Sequence, residues 1–149
     1  MVRVVAQRVH SASVSVDGET VGAIERGLAI LVGIQEGDTE DAVHRVADKL
    51  AGLRIFEDGE GKMNLSAADV GGAMLVVSQF TLYADVRKGR RPSFVSAAGP
   101  ELGRNLYEKF GARLASHGYH VEYGRFGAHM LVDIQNEGPV TIVLDSAEL

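Results

Sequence analysis

Two short stretches place polar residues where the surrounding pattern calls for apolar ones. In "SQFTL", Ser78, Gln79 and Thr81 follow the apolar run MLVV. In "NEGPVT", Gly138 and Pro139 separate two runs that both read as strand, MLVDI and VTIVL. Donors at the end of an apolar strand are where a sheet protein can hold a ligand. Thr81 could act as a nucleophile only with a base beside it. Neither Asp85 nor any histidine is placed for that, so spacing alone makes Thr81 a strand residue. Proline has no N–H for a sheet ladder, which confines Pro139 to an edge, a turn or a strand start.

Other chemistry is sparse. Arg87, Lys88, Arg90 and Arg91 crowd into "VRKGRRPSF", while acids gather elsewhere, in "EGDTED" and "FEDGE". With a net charge of −5, the chain is no candidate for coating a duplex. A local cationic loop on an acidic body can still hold a few phosphates, or simply be solvated. His117 and His120 are three apart in "SHGYH", but Gly118 lies between them at a helix end, so they need not face one ion. Glu57, Asp58 and Glu60 read as a solvated acidic turn. There is no G-x-S-x-G elbow, phosphate-binding Gly-Lys loop, dinucleotide fingerprint or H-E-x-x-H, and nothing calls for a cofactor or a metal. The absence of cysteine removes disulfides and thiolate chemistry and suits a reducing cytoplasm. No apolar segment approaches the roughly 20 residues of a membrane helix.

These residues must be positioned by a single domain over 1–149, long enough to bury a core. VRVVAQRV reads as a strand, and "SVSVDGETVGAI" as a hairpin turning at Asp17-Gly18. "LAILVGI" has the continuous apolar character of a strand buried on both faces. Asp38 and Thr39 offer N-cap oxygens to a helix running to about Leu53, with Ala42, Val43, Val46, Ala47 and Leu50 on one face. "LRIFED" and "KMNLS" read as edge strands or loop, and "GGAMLVVSQFTLYADV" is the longest strand candidate. Pro100 opens a second helix with Leu102, Leu106, Phe110 and Leu114 inward, closed by Gly118. HVEYGRF, HMLVDI and VTIVL complete an α/β domain with a curled, mostly antiparallel or mixed sheet burying two to three helices.

"SQFTL" at 78–82 and "NEGPVT" at 136–141 together resemble the two signature motifs of the D-aminoacyl-tRNA deacylases. The likeness runs the length of the chain, through "VAQRVHSASVSVDGE", "LRIFEDGEGKMNLS", "RKGRRPSF" and "YGRFGAHMLVDIQNEGPVT". The resemblance implies a homodimer of barrel-like α/β subunits with active sites at the dimer interface. It implies hydrolysis of the ester joining a D-amino acid, or glycine on a mismatched tRNA, to the terminal adenosine. Gly138–Pro139 would be a cis peptide reaching into the partner's site. There its rigid main chain would refuse the side chain of an L-substrate, rejection being a stronger device than attraction alone.

The resemblance also implies roles within the site. Backbone N–H groups of Phe80 and Thr81 would face the scissile carbonyl, and Gln79 would position the terminal ribose. Since Thr81 lacks a base, the ribose 2′-hydroxyl is the preferred assistant to the attacking water. Ser78, Phe126, Met130, Gly138 and Pro139 would contact substrate, with Phe126 and Met130 packing on adenine or else completing the core. Arg87, Lys88, Arg90 and Arg91 would meet acceptor-stem phosphates. Against this stand a non-catalytic RNA- or nucleotide-binding module, a metal-dependent hydrolase built on His117 and His120, and a purely structural dimerisation protein. The last leaves "VVSQFT" unexplained.

Overall fold

The computed structural model describes residues 1–149. Strand β1 (Arg3–Val16) turns at Asp17 and Gly18, both at positive φ (51° and 81°), into β2 (Glu19–Ile24). Strand β3 (Gly27–Gly33) leads to α1 (Glu40–Ala51), whose N-cap Thr39 accepts a hydrogen bond from the Ala42 N–H at 3.2 Å. A separate ribbon pairs β4 (Phe56–Glu57) with β5 (Met63–Leu65). After β6 (Ala73–Ser78) come a 3₁₀ turn at Phe80–Tyr83, helix α2 (Pro100–Ser116), β7 (Val121–Tyr123) and β8 (Leu131–Asp145). A last 3₁₀ turn, Ser146–Glu148, ends the fold.

The sheet is mixed. β1 runs antiparallel to β2, β3 and β8, whereas β3, β6 and β7 are mutually parallel. Alternating burial along β1 breaks at Arg8–Val9, both buried. Before the break Val4 and Ala6 join the main core, and after it Val9, Ala12 and Val14 join a smaller one. One strand thus serves two layers, which a sheet achieves only by bending. The bend brings the sheet's far strands together without pairing them: a Cβ on Gly22 would lie 2.4 Å from the Tyr123 carbonyl oxygen. The result is a barrel-like sheet, nearly closed.

The main core packs both helices on one sheet face. Val43, Val46, Ala47 and Leu50 of α1 and Leu106, Phe110 and Leu114 of α2 meet Leu28, Ile30, Val32, Met74 and Val76. Each large side chain buried this way is worth about 1.5–3 kcal/mol. Outside the core the helices are clasped by charge, Lys109 to Glu40 at 2.8 Å and Arg113 to Asp48 through two bonds of 2.8 and 2.9 Å. No helix is long and apolar enough to cross a membrane.

Three expectations change. The run from Gly71 to Val86 is not one long strand: β6 stops at Ser78, and Thr81 lies in a 3₁₀ turn rather than a strand. Its partner β3 ends at Gly33, so the Gln79 N–H bond to the Val32 carbonyl at 2.8 Å is the last rung. The chain then folds over Gly33, where a Cβ would come within 3.0 Å of Leu82 Cβ. HVEYGRF yields only three residues of strand, β7, before the chain turns. Finally, MLVDI and VTIVL are parts of one strand, β8, bulged where Gly138 and Pro139 sit.

Candidate functional site

A cleft of roughly 550 Å³ opens where β6 ends. Val77, Ser78, Gln79 and Phe80 form one wall, Phe126, Gly127, Ala128, His129 and Met130 the opposite one, with Ala98, Pro100 and Val132 between. Five expected site residues therefore share one cavity: Ser78, Gln79, Phe80, Phe126 and Met130. Ala98, Pro100 and Val132 carry no chemical signal in the sequence, because their contribution is shape alone.

The turn after β6 leaves donors free. Leu82 N–H bonds to the Gln79 carbonyl (3.2 Å) and Ala84 N–H to that of Thr81 (3.1 Å), but the N–H groups of Phe80 and Thr81 bond to nothing within the chain. They are the unengaged first donors of a helical turn, set beside the cleft, and such groups are suited to a developing oxyanion. Gln79 donates its side-chain amide to the Thr81 hydroxyl oxygen. Asp85, the nearest acid in sequence, is occupied instead by Arg87 at 2.9 and 2.7 Å, which holds its carboxyl down to about 2. Thr81 therefore has no base.

The opposite wall is braced by α2. Phe126 packs tilted on Tyr107 with centroids 5.8 Å apart, and the Arg104 guanidinium lies 4.9 Å above the Phe126 ring. Tyr107 is itself fixed, donating its hydroxyl to the Val76 carbonyl of β6 at 3.0 Å, and burial pushes that phenol's pKa well above its ordinary value. Met130 Sδ accepts the Arg125 N–H at 3.4 Å and fits because Gly124 has no Cβ, which would otherwise stand 2.7 Å from the sulfur. Phe126 also borders the main core, so one face of the residue packs inward while the residue lines the cleft.

Gly138–Pro139 lies elsewhere. It is exposed, its peptide bond is cis, and it lines no part of the cleft in its own chain. Gln7 pairs with Thr141 and Val9 with Asn136, so residues 137–140 bulge out opposite Arg8 alone. Asn136 closes the bulge by accepting the Val140 N–H at 2.8 Å and donating to Thr141 Oγ1 at 3.1 Å. Arg8, a residue the sequence did not single out, pins it from below. Although only 4 % exposed, it donates to the carbonyls of Glu137 (3.1 Å) and Ile55 (3.0 Å). A bulge has no rung at position 139 to lose, which is why β8 tolerates a proline.

Arg87, Lys88, Arg90 and Arg91 stand exposed on a loop closed at its base by paired backbone bonds between Asp85 and Ser93 (2.7 and 2.8 Å). Only Arg87 has an ion-pair partner. The loop touches the cleft through Phe94, edge-on to Phe80 at 5.2 Å. His117 and His120 turn to different carboxylates, Asp48 at 2.7 Å and Glu122 at 2.9 Å.

Comparison with known proteins matches this arrangement to one family. A family model for D-Tyr-tRNA(Tyr) deacylase covers residues 5–145. A D-aminoacyl-tRNA deacylase of Thermotoga petrophila is 56% identical over 147 residues, spanning 99% of both chains. One from Bacillus pumilus is 59% identical over 146 residues, 98% of this chain and 99% of the other. Among solved structures, the c-Myc DNA unwinding element binding protein superposes with a TM-score of 0.89 at 42% identity, covering 96% of this chain and 97% of its own. The chain therefore belongs to the D-Tyr-tRNA(Tyr) deacylase family of enzymes.

Proposed function

We propose that this protein hydrolyses the ester between a D-amino acid and the terminal adenosine of tRNA in the cleft between Phe80 and Phe126, working in the cytoplasm as a homodimer, with mischarged glycyl-tRNA as a further substrate. The observation that carries this is the pair of unengaged N–H groups at Phe80 and Thr81, in the turn whose first residue, Phe80, lines the same cleft as Phe126. Adenine packs on Phe126 and Met130, which directs the ribose towards Gln79 and the ester carbonyl towards the two N–H groups. Water attacks the carbonyl carbon, the oxyanion is held by those donors, and the ribose oxygen leaves with a proton. The ribose 2′-hydroxyl orients the water, since Thr81 lacks a base. Fixed backbone donors need no reorganisation as charge develops, which suits a site without a titrating side chain.

Stereochemical selection falls to the partner subunit's Gly138–Pro139. Its support is the exposed bulge, pinned from below by Arg8 and lining no part of its own chain's cleft, and the exposed Leu131 (66%) and Val143 (61%) along the same long edge strand. Exposed apolar side chains on such a strand suit a covering copy. The cations at Arg87, Lys88, Arg90 and Arg91 meet acceptor-stem phosphates. Deacylation of D-Tyr-tRNA and L-Tyr-tRNA by the wild type and Phe126→Ala tests the assignment. Rapid release of D-tyrosine only, with kcat/KM lowered at least tenfold by Phe126→Ala, about the loss of one base stack, is expected. Full activity in Phe126→Ala would remove the cleft from the reaction.

A further inference from the structure

We infer that Arg104, with Arg125 beside Phe126, forms an anion subsite for the phosphodiester that leads into the terminal adenosine. The inference rests on the reading of the cleft as the adenosine seat. Helix α2 carries three cations, and two are spent on the helix clasp: Lys109 on Glu40 and Arg113 on Asp48. Arg104 is the exception. Glu101 and Glu108 stand three and four residues away on the same helix, spacings that ordinarily permit pairing, yet neither engages it. Instead its guanidinium lies 4.9 Å over the Phe126 ring, exposed at the edge of the cleft.

That pose has a chemical consequence. The cation is held over the ring while its N–H donors, which bond to nothing within the chain, stay free in the fork that matches a phosphate. Stacking on Phe126 also restricts the long side chain, so less freedom is lost when an anion binds. Arg125 precedes Phe126 in the same turn and is likewise exposed and without an ion pair; only its backbone is engaged, the N–H by Met130 Sδ and the carbonyl by the Ala128 N–H. The aromatic wall is thus flanked by two unneutralised arginines on a chain of net charge −5. A free nucleobase would need neither; a base entering on a nucleic-acid strand brings the phosphate that would use both. The subsite is separate from the loop at Arg87–Arg91 and would read the single-stranded end, not the stem.

Two substrates separate binding of this phosphate from bracing of Phe126: D-tyrosyl-tRNA, and the D-tyrosyl ester of adenosine, which has no phosphate. In Arg104→Gln the ratio of kcat/KM for tRNA to that for the adenosine ester should fall about fivefold, through KM, and the slope of log KM against log salt should drop by about 0.7, one single-strand phosphate contact. Arg104→Lys should recover most of the salt slope, and Arg125→Gln should lower the same ratio. Lys49→Gln on α1, remote from the cleft, should leave ratio and slope unchanged. An equal loss on both substrates would overturn the inference in favour of a brace for Phe126, and an unaltered ratio would overturn it outright. Phe126→Ala run alongside should weaken both substrates. If it weakens neither, the adenosine seat itself falls and the subsite with it, whereas a normal Phe126→Ala result with an intact ratio removes only the subsite.

Discussion

Replacing Gly138 with alanine probes the bulge at its least tolerant point. The residue sits at φ +130°, a region that side chains of L-residues rarely adopt, and this alone costs about 1–3 kcal/mol. The added Cβ would stand 2.9 Å from Val140 Cγ2 and 3.1 Å from an Arg8 guanidinium nitrogen. Val140 is 9 % exposed and Arg8 is tethered to the Ile55 carbonyl, so neither neighbour yields freely. The bulge itself is exposed and is the part that moves. A net loss of about 2 kcal/mol is expected, with the fold retained. At roughly 2 cal/mol/K per residue, a chain of this length should melt ~6 °C lower. The functional readout is the ratio of deacylation rates on D-Tyr-tRNA and L-Tyr-tRNA, which should shrink at least tenfold (about 1.4 kcal/mol of lost discrimination) as the displaced main chain ceases to exclude the L side chain. A lowered melting temperature with an unchanged ratio would refute the filter, and an unchanged melting temperature would refute the strain argument.

Thr81→Ala should keep kcat within about tenfold of wild type, because its hydroxyl meets only the Gln79 amide and has no base; loss beyond a thousandfold in a folded variant would make it a nucleophile after all. Asp48→Asn tests the helix clasp by its pH dependence. Hydrogen bonds from Arg113 and then His117 hold the Asp48 carboxyl well below the usual carboxylate range. A depressed folded-state pKa contributes stability above the unfolded value, near 4, that is lost as pH falls through the folded one. The melting temperature of the variant should therefore lie below wild type at neutral pH, with the gap narrowing progressively as pH falls from about 4 towards the depressed folded-state value. A gap that does not narrow in acid would place the clasp's contribution elsewhere.

Local chemistry was open to reading wherever a residue acts on its immediate neighbours. Asp17-Gly18 had to turn a hairpin because few other pairs accept consecutive positive φ, and Thr39 had to cap α1 because its oxygen reaches the orphan N–H three residues on. The motifs 78–82 and 136–141 were equally legible as letters. What could not be read was where chains stop being strands. β6 ends at Ser78 because β3 runs out of partner at Gly33, and only that loss of a ladder bends Phe80 and Thr81 into the turn that frees their N–H groups. Likewise, nothing local marks Arg8 as the anchor of residues 137–140 or Arg104 as the cover of Phe126. Their partners lie 129 and 22 positions away, and only the pairing of β1 with β8 and the packing of α2 on the β7–β8 turn bring them together. The residue types were written in the chain; their meeting depended on which backbone groups found partners, a question that only the folded sheet answers.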